Sequence, residues 1–289
     1  MNDIQRVAVL GAGTMGHGIA QVCAAAGLSV RVFDLDDAAL ERGQRGVLGS
    51  LERVVKKGGL SGADAAAVAG RIAWSTALAP SVVDADLVVE AVPEKIELKK
   101  ELFRQVDAAA PAHCLFGSNT SSLSITELAA AVRDPGRLLG LHFFNPVPVM
   151  ELLEIVRGVR TSEASLAAAE AFARAIGKTA IVVRDYPGFA TSRLGVVIGA
   201  EAIRMLEAGV ASAEDIDRAM VLGYKHPVGP LKLTDLVGLD VRLAILEHLH
   251  KEVGEQFRPP ALLRQMVRAG KLGKKSGEGF YLWPSEVKQ

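Results

Sequence analysis

A histidine and a glutamate twelve residues apart are the side chains in this sequence best suited to proton transfer. His142 lies near the end of an apolar run, residues 138–144, and Glu154 lies on a second apolar run that follows. If the two runs form neighbouring strands, the side chains can meet, and the carboxylate would then fix the imidazole tautomer and stabilise the imidazolium. The alternative is a core histidine that is satisfied by a backbone carbonyl.

A glycine-rich segment near the start of the chain predicts the binding of a dinucleotide. It follows the strand-like run Arg6–Leu10 and precedes apolar residues at helical spacing. Such a turn needs glycine for a sharp bend, for close approach of the backbone to a pyrophosphate, and for helix packing, and the helix N-terminus offers N–H donors to the phosphates. The residues of this predicted cofactor site are Gly11, Gly13, Thr14, Met15 and Gly16.

An acidic residue after the second strand-like run indicates which dinucleotide is bound. Asp34 follows the run Ser29–Phe33 and lies 23 residues after Gly11, close to the spacing of about 20 residues expected for an acid that hydrogen-bonds the adenosine ribose. A carboxylate at this position would repel a 2′-phosphate. The sequence therefore predicts NAD rather than NADP as the cofactor.

The order of the remaining patterns predicts the fold class and the domain boundary. Strand-like runs alternate with helical patterns up to residue 183, and only helical patterns follow residue 185. This order predicts an α/β fold with a Rossmann-type, doubly wound, mostly parallel sheet over residues 1–185. An all-α C-terminal domain is expected over residues 186–289.

Polar residues after the fourth and fifth predicted strands are candidates for the nicotinamide side of the cofactor site. Glu90 lies near the end of the fourth strand, residues 86–92, Glu94 and Lys99 follow that strand, and the hydroxyl and amide residues 118–122 follow the fifth. Ligands of open α/β sheets lie beyond the carboxyl ends of the strands. The alternatives are a solvated helix face for the lysine and capping of a helix that begins near Ser124 for the hydroxyl residues.

The composition argues against several classes of partner. The 33 basic and 33 acidic residues cancel, so neither nucleic acid nor an anionic membrane is expected as a partner. The uncharged stretch 7–30 is interrupted by glycines, and no other stretch is apolar enough to span a bilayer. Cys23 and Cys114 both lie in apolar segments, which predicts a reduced, cytoplasmic protein with buried thiols and without a metal site.

The helical half of the chain predicts an interface between subunits. Its expected helices carry many apolar residues and cover residues 187–208, 212–222, 237–253 and 260–269. Part of this surface is expected to be buried in a homodimer. The glycine-rich, basic stretch 273–281 is either a loop that reaches back toward the site or a flexible terminus.

Ordered motifs along almost the whole chain resemble those of the short-chain L-3-hydroxyacyl-CoA dehydrogenases, especially the bacterial 3-hydroxybutyryl-CoA dehydrogenases. The motifs are V-L-G-A-G-T-M-G, S-N-T-S-S-L-S-I-T, H-F-F-N-P-V-P-V-M-E-L-L-E, P-G-F, E-D-I-D-R-A-M, H-P-V-G-P, G-L-D and K-K-S-G-E-G-F-Y. The resemblance implies reversible, NAD-dependent oxidation of a (3S)-3-hydroxyacyl-CoA, of hydroxybutyryl size, to the 3-oxoacyl-CoA. An acyl-CoA is thus the implied substrate, and the helical half fits the family's dimerisation domain.

The resemblance also implies roles for individual residues. His142 looks like the catalytic base, Glu154 is similar to its partner, and Ser121 resembles the serine that bonds the reacting oxygen and the nicotinamide region. Positions that match other contacts of the catalytic pocket or the cofactor are Asn145, Asn119, Glu94, Lys99, Asp34 and Lys275. Positions that align with residues holding the CoA moiety are Ser50 and Lys57.

One position departs from the family's pattern. Most members have P-G-F-x-x-N-R, whereas this chain has Ser192 in place of the asparagine that contacts the substrate. Serine keeps a donor and an acceptor on a shorter arm, so it would bond through water or leave a wider pocket. Two alternatives are a dehydrogenase of a free hydroxy acid on the same scaffold and a cofactor-binding structural protein without turnover.

Overall fold

The computed structural model describes residues 4–284 of the chain. The chain divides into two compact units, Met1–Asp185 and Tyr186–Gln289. The first unit contains a sheet flanked by helices, and the second consists mainly of helices. This arrangement confirms the predicted α/β fold with an all-α C-terminal part. No helix among the described residues is long and apolar enough to cross a membrane.

The first unit is organised around one eight-stranded sheet with the order β3-β2-β1-β4-β5-β6-β7-β8. The strands are β1 Arg6–Leu10, β2 Ser29–Phe33, β3 Ile72–Ser75, β4 Leu87–Glu90, β5 Leu115–Ser118, β6 Leu138–Phe143, β7 Leu152–Arg157 and β8 Thr179–Arg184. Strands β1 to β6 are parallel, β7 is antiparallel to β6, and β8 is parallel to β7. The strand order reverses at β1, which is where a doubly wound sheet binds its ligand.

Helices connect the parallel strands, because a parallel pair cannot be joined by a tight turn. They are α1 Thr14–Ala25, α2 Asp37–Lys56, α3 Gly62–Gly70, α4 Leu78–Val82, α5 Ile96–Ala109, α6 Ile125–Ala129 and α7 Glu163–Ala175. The apolar spacing of the sequence did not predict α3 and α4. Helix α3 consists mostly of alanine and glycine, and α4 has five residues, so neither has a clear apolar period.

The central strands are buried on both faces, as expected for a parallel sheet covered by helices. Both cysteines are free and lie inside this unit. Burial raises the pKa of the Cys23 thiol, and likewise of the Cys114 thiol, to about 12. The prediction of buried thiols is confirmed, and these thiols are poor nucleophiles because the thiolate is scarce.

The second unit contains α8 Thr191–Glu207, α9 Ala213–Gly223, α10 Pro230–Val237, α11 Leu239–Glu252 and α12 Ala261–Arg268. Two predicted helix bounds were wrong. Helix α8 begins four residues later than predicted, because Gly188 and Phe189 have φ angles of 78° and 47°, which a right-handed helix does not accommodate. Helix α11 begins two residues later than predicted, after Gly238, whose φ is 106°, and the sequence pattern did not predict α10.

A buried carboxylate anchors the C-terminal segment within the second unit. Asp235 accepts hydrogen bonds from the backbone N–H groups of Phe280 and Tyr281, both at 2.9 Å, and from Trp283 Nε1 at 2.8 Å. Its side chain lies on α10 and is almost fully buried. The stretch 273–281 is therefore a packed part of this unit, and the flexible-terminus interpretation was wrong.

Candidate active site

The register between β6 and β7 places the predicted proton-transfer pair together. His142 lies directly opposite Glu154 in the antiparallel ladder, and its Nδ1 is 2.6 Å from Glu154 Oε2. The histidine is 6% exposed and the glutamate is fully buried. A carboxylate can only accept a hydrogen bond, so Nδ1 donates and Nε2 becomes the basic nitrogen of the ring. The partner of Nδ1 is therefore a carboxylate, whereas the alternative interpretation expected a backbone carbonyl.

Neighbouring groups hold the strand that carries this histidine. The rings of His142 and Phe144 lie 4.4 Å apart. Asn119, in the loop after β5, accepts the backbone N–H of Phe143 with its Oδ1 at 2.9 Å, and its own N–H donates to the carbonyl of Glu90 at 2.8 Å. These two hydrogen bonds thus connect the end of β6 to the loop after β5 and to the end of β4. The predicted contact of Asn119 with the cofactor stays a prediction.

The glycine turn between β1 and α1 lines a cleft of about 940 Å³ in the first unit. Gly11 has a φ of 102°, and a Cβ there would lie 2.7 Å from the carbonyl oxygen of Ala91. A Cβ on Gly16 would lie 1.7 Å from the carbonyl oxygen of Gly11, so the helix packs against the strand only with glycine at this position. Gly13 caps α1, and a Cβ there would meet nothing within 4 Å. The space beside Gly13 is therefore open.

Asp34 lines the same cleft at the end of β2. Its Oδ2 accepts the N–H of Ala12 at 2.7 Å, and its Oδ1 accepts the N–H of Leu35 at 2.7 Å. These bonds fix the carboxylate beside the glycine turn, and its remaining lone pairs can accept the hydroxyls of a ribose. Thr14 and Met15 also line the cleft. The residues present therefore fit a dinucleotide whose adenosine ribose carries no 2′-phosphate.

A cluster of charged residues lies at the carboxyl ends of β4 and β5. Glu90 is fully buried and accepts from Lys99 Nζ and from Ser118 Oγ, both at 2.6 Å. Lys99 is buried as well, so the solvated-face interpretation of this lysine was wrong. Because Glu90 has no exposed surface, the prediction that it contacts the nicotinamide side was also wrong.

The pKa values of Glu90 and Glu94 are shifted in opposite directions by burial and by the charge of Lys99. Burial raises the pKa of Glu90, although the Lys99 charge and the hydrogen bonds to the carboxylate oppose the shift. Burial would also raise the pKa of Glu94, but the Lys99 charge and the hydrogen bond from Thr120 outweigh it, so the pKa of Glu94 is lowered. Glu94 also accepts from the N–H of Ser121 and from Ser122 Oγ, both at 3.1 Å.

Comparison with known protein families gives a match in each unit. The NAD binding domain of 3-hydroxyacyl-CoA dehydrogenase matches residues 6–186, and the C-terminal domain of the same enzyme matches residues 188–283. The chain belongs to the 3-hydroxyacyl-CoA dehydrogenase family. The family predicted from the motifs is thereby confirmed, as are an NAD-dependent enzyme and NAD as its cofactor.

Three relatives cover almost the whole chain. A probable 3-hydroxybutyryl-CoA dehydrogenase of Bacillus subtilis is 45% identical over 280 residues, which are 96% of this chain and 97% of that protein. A 3-hydroxybutyryl-CoA dehydrogenase of Mycobacterium tuberculosis is 45% identical over 287 residues, 98% of this chain and 100% of that one. The crystal structure of (S)-3-hydroxybutyryl-CoA dehydrogenase from Ralstonia eutropha has a TM-score of 0.94 at 44% identity, covering 98% and 100% of the two chains.

The other positions that resemble functional residues of the family lie in both units. In the first unit, Ser121 follows β5, Asn145 follows β6, Ser50 lies on α2 and Lys57 is the C-cap of that helix. In the second unit, Ser192 lies in the first turn of α8, and Lys275 Nζ is 2.6 Å from the Asp240 carboxylate. The structure describes where each residue lies, and the roles that the resemblance implies stay predictions.

The loop after Asn145 is held by Lys178, a residue that the sequence pattern did not indicate. Lys178 is 9% exposed, and its Nζ donates to the carbonyl oxygens of Val147 at 2.6 Å and Met150 at 2.5 Å. Burial lowers the pKa of this ammonium. A lysine just before an edge strand is ordinarily solvated, so no local pattern indicates this contact. Among residues 4–284 no group of side chains could hold a metal ion.

Proposed function

We propose that this family member catalyses the reversible, NAD-dependent oxidation of a (3S)-3-hydroxyacyl-CoA, of hydroxybutyryl size, to the 3-oxoacyl-CoA. The observation that supports the chemistry is the 2.6 Å hydrogen bond between His142 and Glu154 in a buried part of the sheet. The substrate class rests on the relatives, which are named 3-hydroxybutyryl-CoA dehydrogenases at 45% identity.

In this proposal His142 is the general base for the 3-hydroxyl group. Its Nδ1 donates to Glu154, so the Nε2 lone pair accepts the hydroxyl proton, and the neighbouring carboxylate stabilises the imidazolium that forms. Bound NAD supplies the hydride acceptor. In the reverse direction the imidazolium returns the proton to the oxygen. A positioned base of this kind contributes roughly 10²–10⁴-fold in rate.

The remaining candidates of the first unit have distinct proposed roles. Ser121 hydrogen-bonds the reacting oxygen, and Asn145 lines the same pocket, while Glu94 and the glycine turn contact the cofactor. Ser50 and Lys57 are seven residues apart at one side of α2, where a hydroxyl and an exposed ammonium suit the phosphates of a CoA moiety. Ser192 and Lys275 stay candidates for the substrate and the cofactor, respectively.

We also propose a homodimer that forms through the second unit. Five apolar residues on α8, α10 and α11 are between 37% and 63% exposed, and these three helices pack against one another. They are Leu194, Ile198, Leu236, Val237 and Val241. A group of large exposed apolar side chains is typical of a subunit interface.

A cytoplasmic location also stays a prediction.

One assay series tests the proposed activity and separates the alternatives. Acyl-CoA substrates from C4 to C16 are compared with free 3-hydroxybutyrate, each with both dinucleotides. We expect the highest kcat/KM with the C4 thioester and NAD(H), because relatives of this length act on hydroxybutyryl-CoA by name. Equal turnover of the free acid would favour the free-acid dehydrogenase. A complete lack of turnover with acetoacetyl-CoA and NADH would leave a structural, cofactor-binding protein.

A further inference from the structure

An arginine on α11 is buried without a counter-charge. Arg242 is 7% exposed. Within the described part of the chain, residues 4–284, its Nε has no hydrogen-bond partner and no carboxylate lies within ion-pair distance of the guanidinium. Burial lowers the pKa of this group to about 10, so it stays charged at neutral pH. A cation in a protein interior is costly unless it is paired.

The position of this arginine on the helix favours an apolar residue. The buried residues of α11 are Leu239, Arg242, Leu246 and Leu249, and their spacing places them on one face of the helix. The three leucines belong to the core of the second unit. An apolar side chain in place of an uncompensated buried charge ordinarily stabilises a protein. The arginine therefore indicates a function that stability does not explain.

The guanidinium lies against helix α8 at a glycine. A Cβ on Gly195 would lie 3.2 Å from Nη1 and 3.9 Å from Nη2 of Arg242, so the missing side chain leaves room for these two nitrogens. Gly199, one turn later, faces α10 in the same way, because a Cβ there would lie 3.0 Å from Thr234 Oγ1. The two glycines mark the face of α8 that packs against α10 and α11.

The proposed substrate contact of the second unit lies on this same face of α8. Residues three apart on a helix are neighbours on one side of it, and Ser192 precedes Gly195 by three residues. The rise between them is about 5 Å. The guanidinium therefore contacts α8 about one turn from the residue that is proposed to contact the substrate.

The chemistry of the guanidinium limits what it can bind. Its planar fork of N–H donors fits a carboxylate or a phosphate through two parallel hydrogen bonds. In the proposed function the phosphates of the CoA moiety are held at Ser50 and Lys57, and those of the dinucleotide at the glycine turn. The remaining place for an anionic group on a 3-hydroxyacyl-CoA is the free end of the acyl chain, where a carboxylate would be the anion.

We propose that Arg242 is a specificity-determining residue, which binds a carboxylate at the free end of the acyl chain. The protein then prefers 3-hydroxyacyl-CoA substrates that end in a carboxylate over uncharged substrates of the same length. This inference rests on the proposed function, because it takes the substrate contact of Ser192 from there. It concerns the charge at the end of the chain and leaves the expected preference for C4 among uncharged chains as it stands.

The test compares kcat/KM for two six-carbon substrates at saturating NAD. One is (3S)-3-hydroxyadipyl-CoA, which ends in a carboxylate, and the other is (3S)-3-hydroxyhexanoyl-CoA, which ends in a methyl group. The proteins are wild type, Arg242→Met, Arg242→Lys and the control Arg218→Met. Arg218 lies on α9 in the same unit, is exposed, and pairs with the exposed carboxylate of Asp215.

We expect wild type to prefer the carboxylated substrate by about 10- to 100-fold, the factor for hydrogen bonds between charged groups. In Arg242→Met this ratio should fall to about one. Arg242→Lys keeps the charge but lacks the planar fork, so part of the preference should remain. The Arg218→Met control should keep the wild-type ratio. The urea midpoint of Arg242→Met should not fall, because no paired charge is lost.

Several results would overturn the inference. Equal kcat/KM values for the two substrates in wild type, or an unchanged ratio in Arg242→Met, would remove the proposed role. Loss of the dimer in Arg242→Met with an unchanged ratio would instead assign the guanidinium to contact with a second copy of the chain.

The inference and the proposed function can fail separately. A wild type that reduces acetoacetyl-CoA with NADH but shows no preference between the six-carbon substrates would defeat the inference alone. A wild type that turns over no acyl-CoA would defeat the proposed function. If Arg242→Met does not fold, wild type and Arg242→Lys still decide the question, because the preference must be present in the first and smaller in the second.

Discussion

The hydrogen bond between His142 and Glu154 contributes both to the stability of the fold and to the proposed catalysis. A fully buried carboxylate costs several kcal/mol unless it is paired, and here the imidazole Nδ1 at 2.6 Å is a partner for Glu154. The same contact orients the ring and fixes which nitrogen is basic. In the proposed mechanism, stability and catalysis therefore depend on one contact between two strands.

Replacing Glu154 should lower kcat less than replacing His142. In the proposed mechanism the glutamate orients the imidazole and stabilises its positive charge but does not itself move the substrate proton. Replacing Glu154 by Gln keeps the size of the side chain but removes its charge. We expect kcat for the reduction of acetoacetyl-CoA to fall by about 10- to 100-fold, which is below or at the lower end of the range of roughly 10²–10⁴-fold for loss of a base. Glu163→Gln, at an exposed glutamate, is the control and should leave kcat unchanged. Equal kcat values in the two variants would contradict the assigned role.

We predict that a single residue, Asp34, decides which dinucleotide is bound. In Asp34→Ala the acceptor for the ribose hydroxyls is lost, and so is the negative charge that repels a 2′-phosphate. We expect NADH to bind about 10- to 100-fold more weakly, the usual cost of losing hydrogen bonds to a charged group, while NADPH affinity does not fall. Fluorescence titration measures both constants, and Asp37→Ala on the exposed start of α2 serves as control. An equal loss of affinity for NADH and NADPH would contradict the prediction.

Several of these residues could be predicted from the sequence and others could not. The spacing of His142 and Glu154 indicates a pair because two consecutive apolar runs tend to become adjacent strands. The glycine turn and Asp34 follow a local pattern whose geometry is fixed by steric limits. Lys178 contacts backbone carbonyls 28 and 31 residues away, and Lys99 is buried where α5 meets the end of β4. No periodicity or spacing along the chain encodes such contacts.

At the scale of secondary-structure elements, one buried carboxylate supports the segment that leads into β6. Asp107, on α5, is 2.8 Å from Arg133 Nε and 2.7 Å from Arg137 Nη2. Burial would raise the pKa of Asp107, but the hydrogen bonds from Arg133 and Arg137 outweigh it, so the pKa is lowered. The ionised Asp107 therefore stabilises the folded state. This stabilisation is complete above the pKa that Asp107 has in the unfolded chain, and it is lost as the pH falls through the lower pKa of Asp107 in the folded state.

Replacing Asp107 by Asn should therefore destabilise the protein in a pH-dependent way. We expect the free energy of unfolding at pH 7 to fall by about 3 kcal/mol, as for a broken buried ion pair. The difference from wild type should shrink as the pH is lowered below about 4, where the wild-type carboxylate also becomes protonated. Urea unfolding at several pH values measures this. Glu41→Gln, which removes an exposed pair with Arg45, should change the free energy by less than about 1 kcal/mol. A difference that is constant with pH would contradict the account.

The sequence predicted the type of most elements but not all of their ends. Helix boundaries were wrong where backbone conformation, rather than apolar spacing, ends the helix, as at Gly188 and Phe189 before α8 and at Gly238 between α10 and α11. The start of α10 is capped by Asp217 of α9, which accepts the N–H groups of Leu231 and Lys232 at 2.8 and 2.9 Å. A cap supplied by another helix has no local signal.

At the scale of the whole molecule, the proposed dimer has a direct test. The double variant Ile198→Asp/Val241→Asp places two charges among the exposed apolar residues of α8 and α11. We expect it to sediment as a monomer in analytical ultracentrifugation while wild type sediments as a dimer, because burying unpaired carboxylates is costly. Val159→Asp changes an equally apolar residue that is 84% exposed in the first unit, and it should remain dimeric. A monomeric wild type or a dimeric double variant would remove the proposed interface.

The central claim is that His142 is the base of an NAD-dependent dehydrogenase, and the kinetics of His142→Ala test it most directly. With acetoacetyl-CoA and NADH, we predict that kcat falls by at least about 10²–10⁴-fold, the range for loss of a general base. The dissociation constant of NADH should hardly change, because the glycine turn and Asp34 are intact. A His142→Ala variant that retains full kcat would contradict the account.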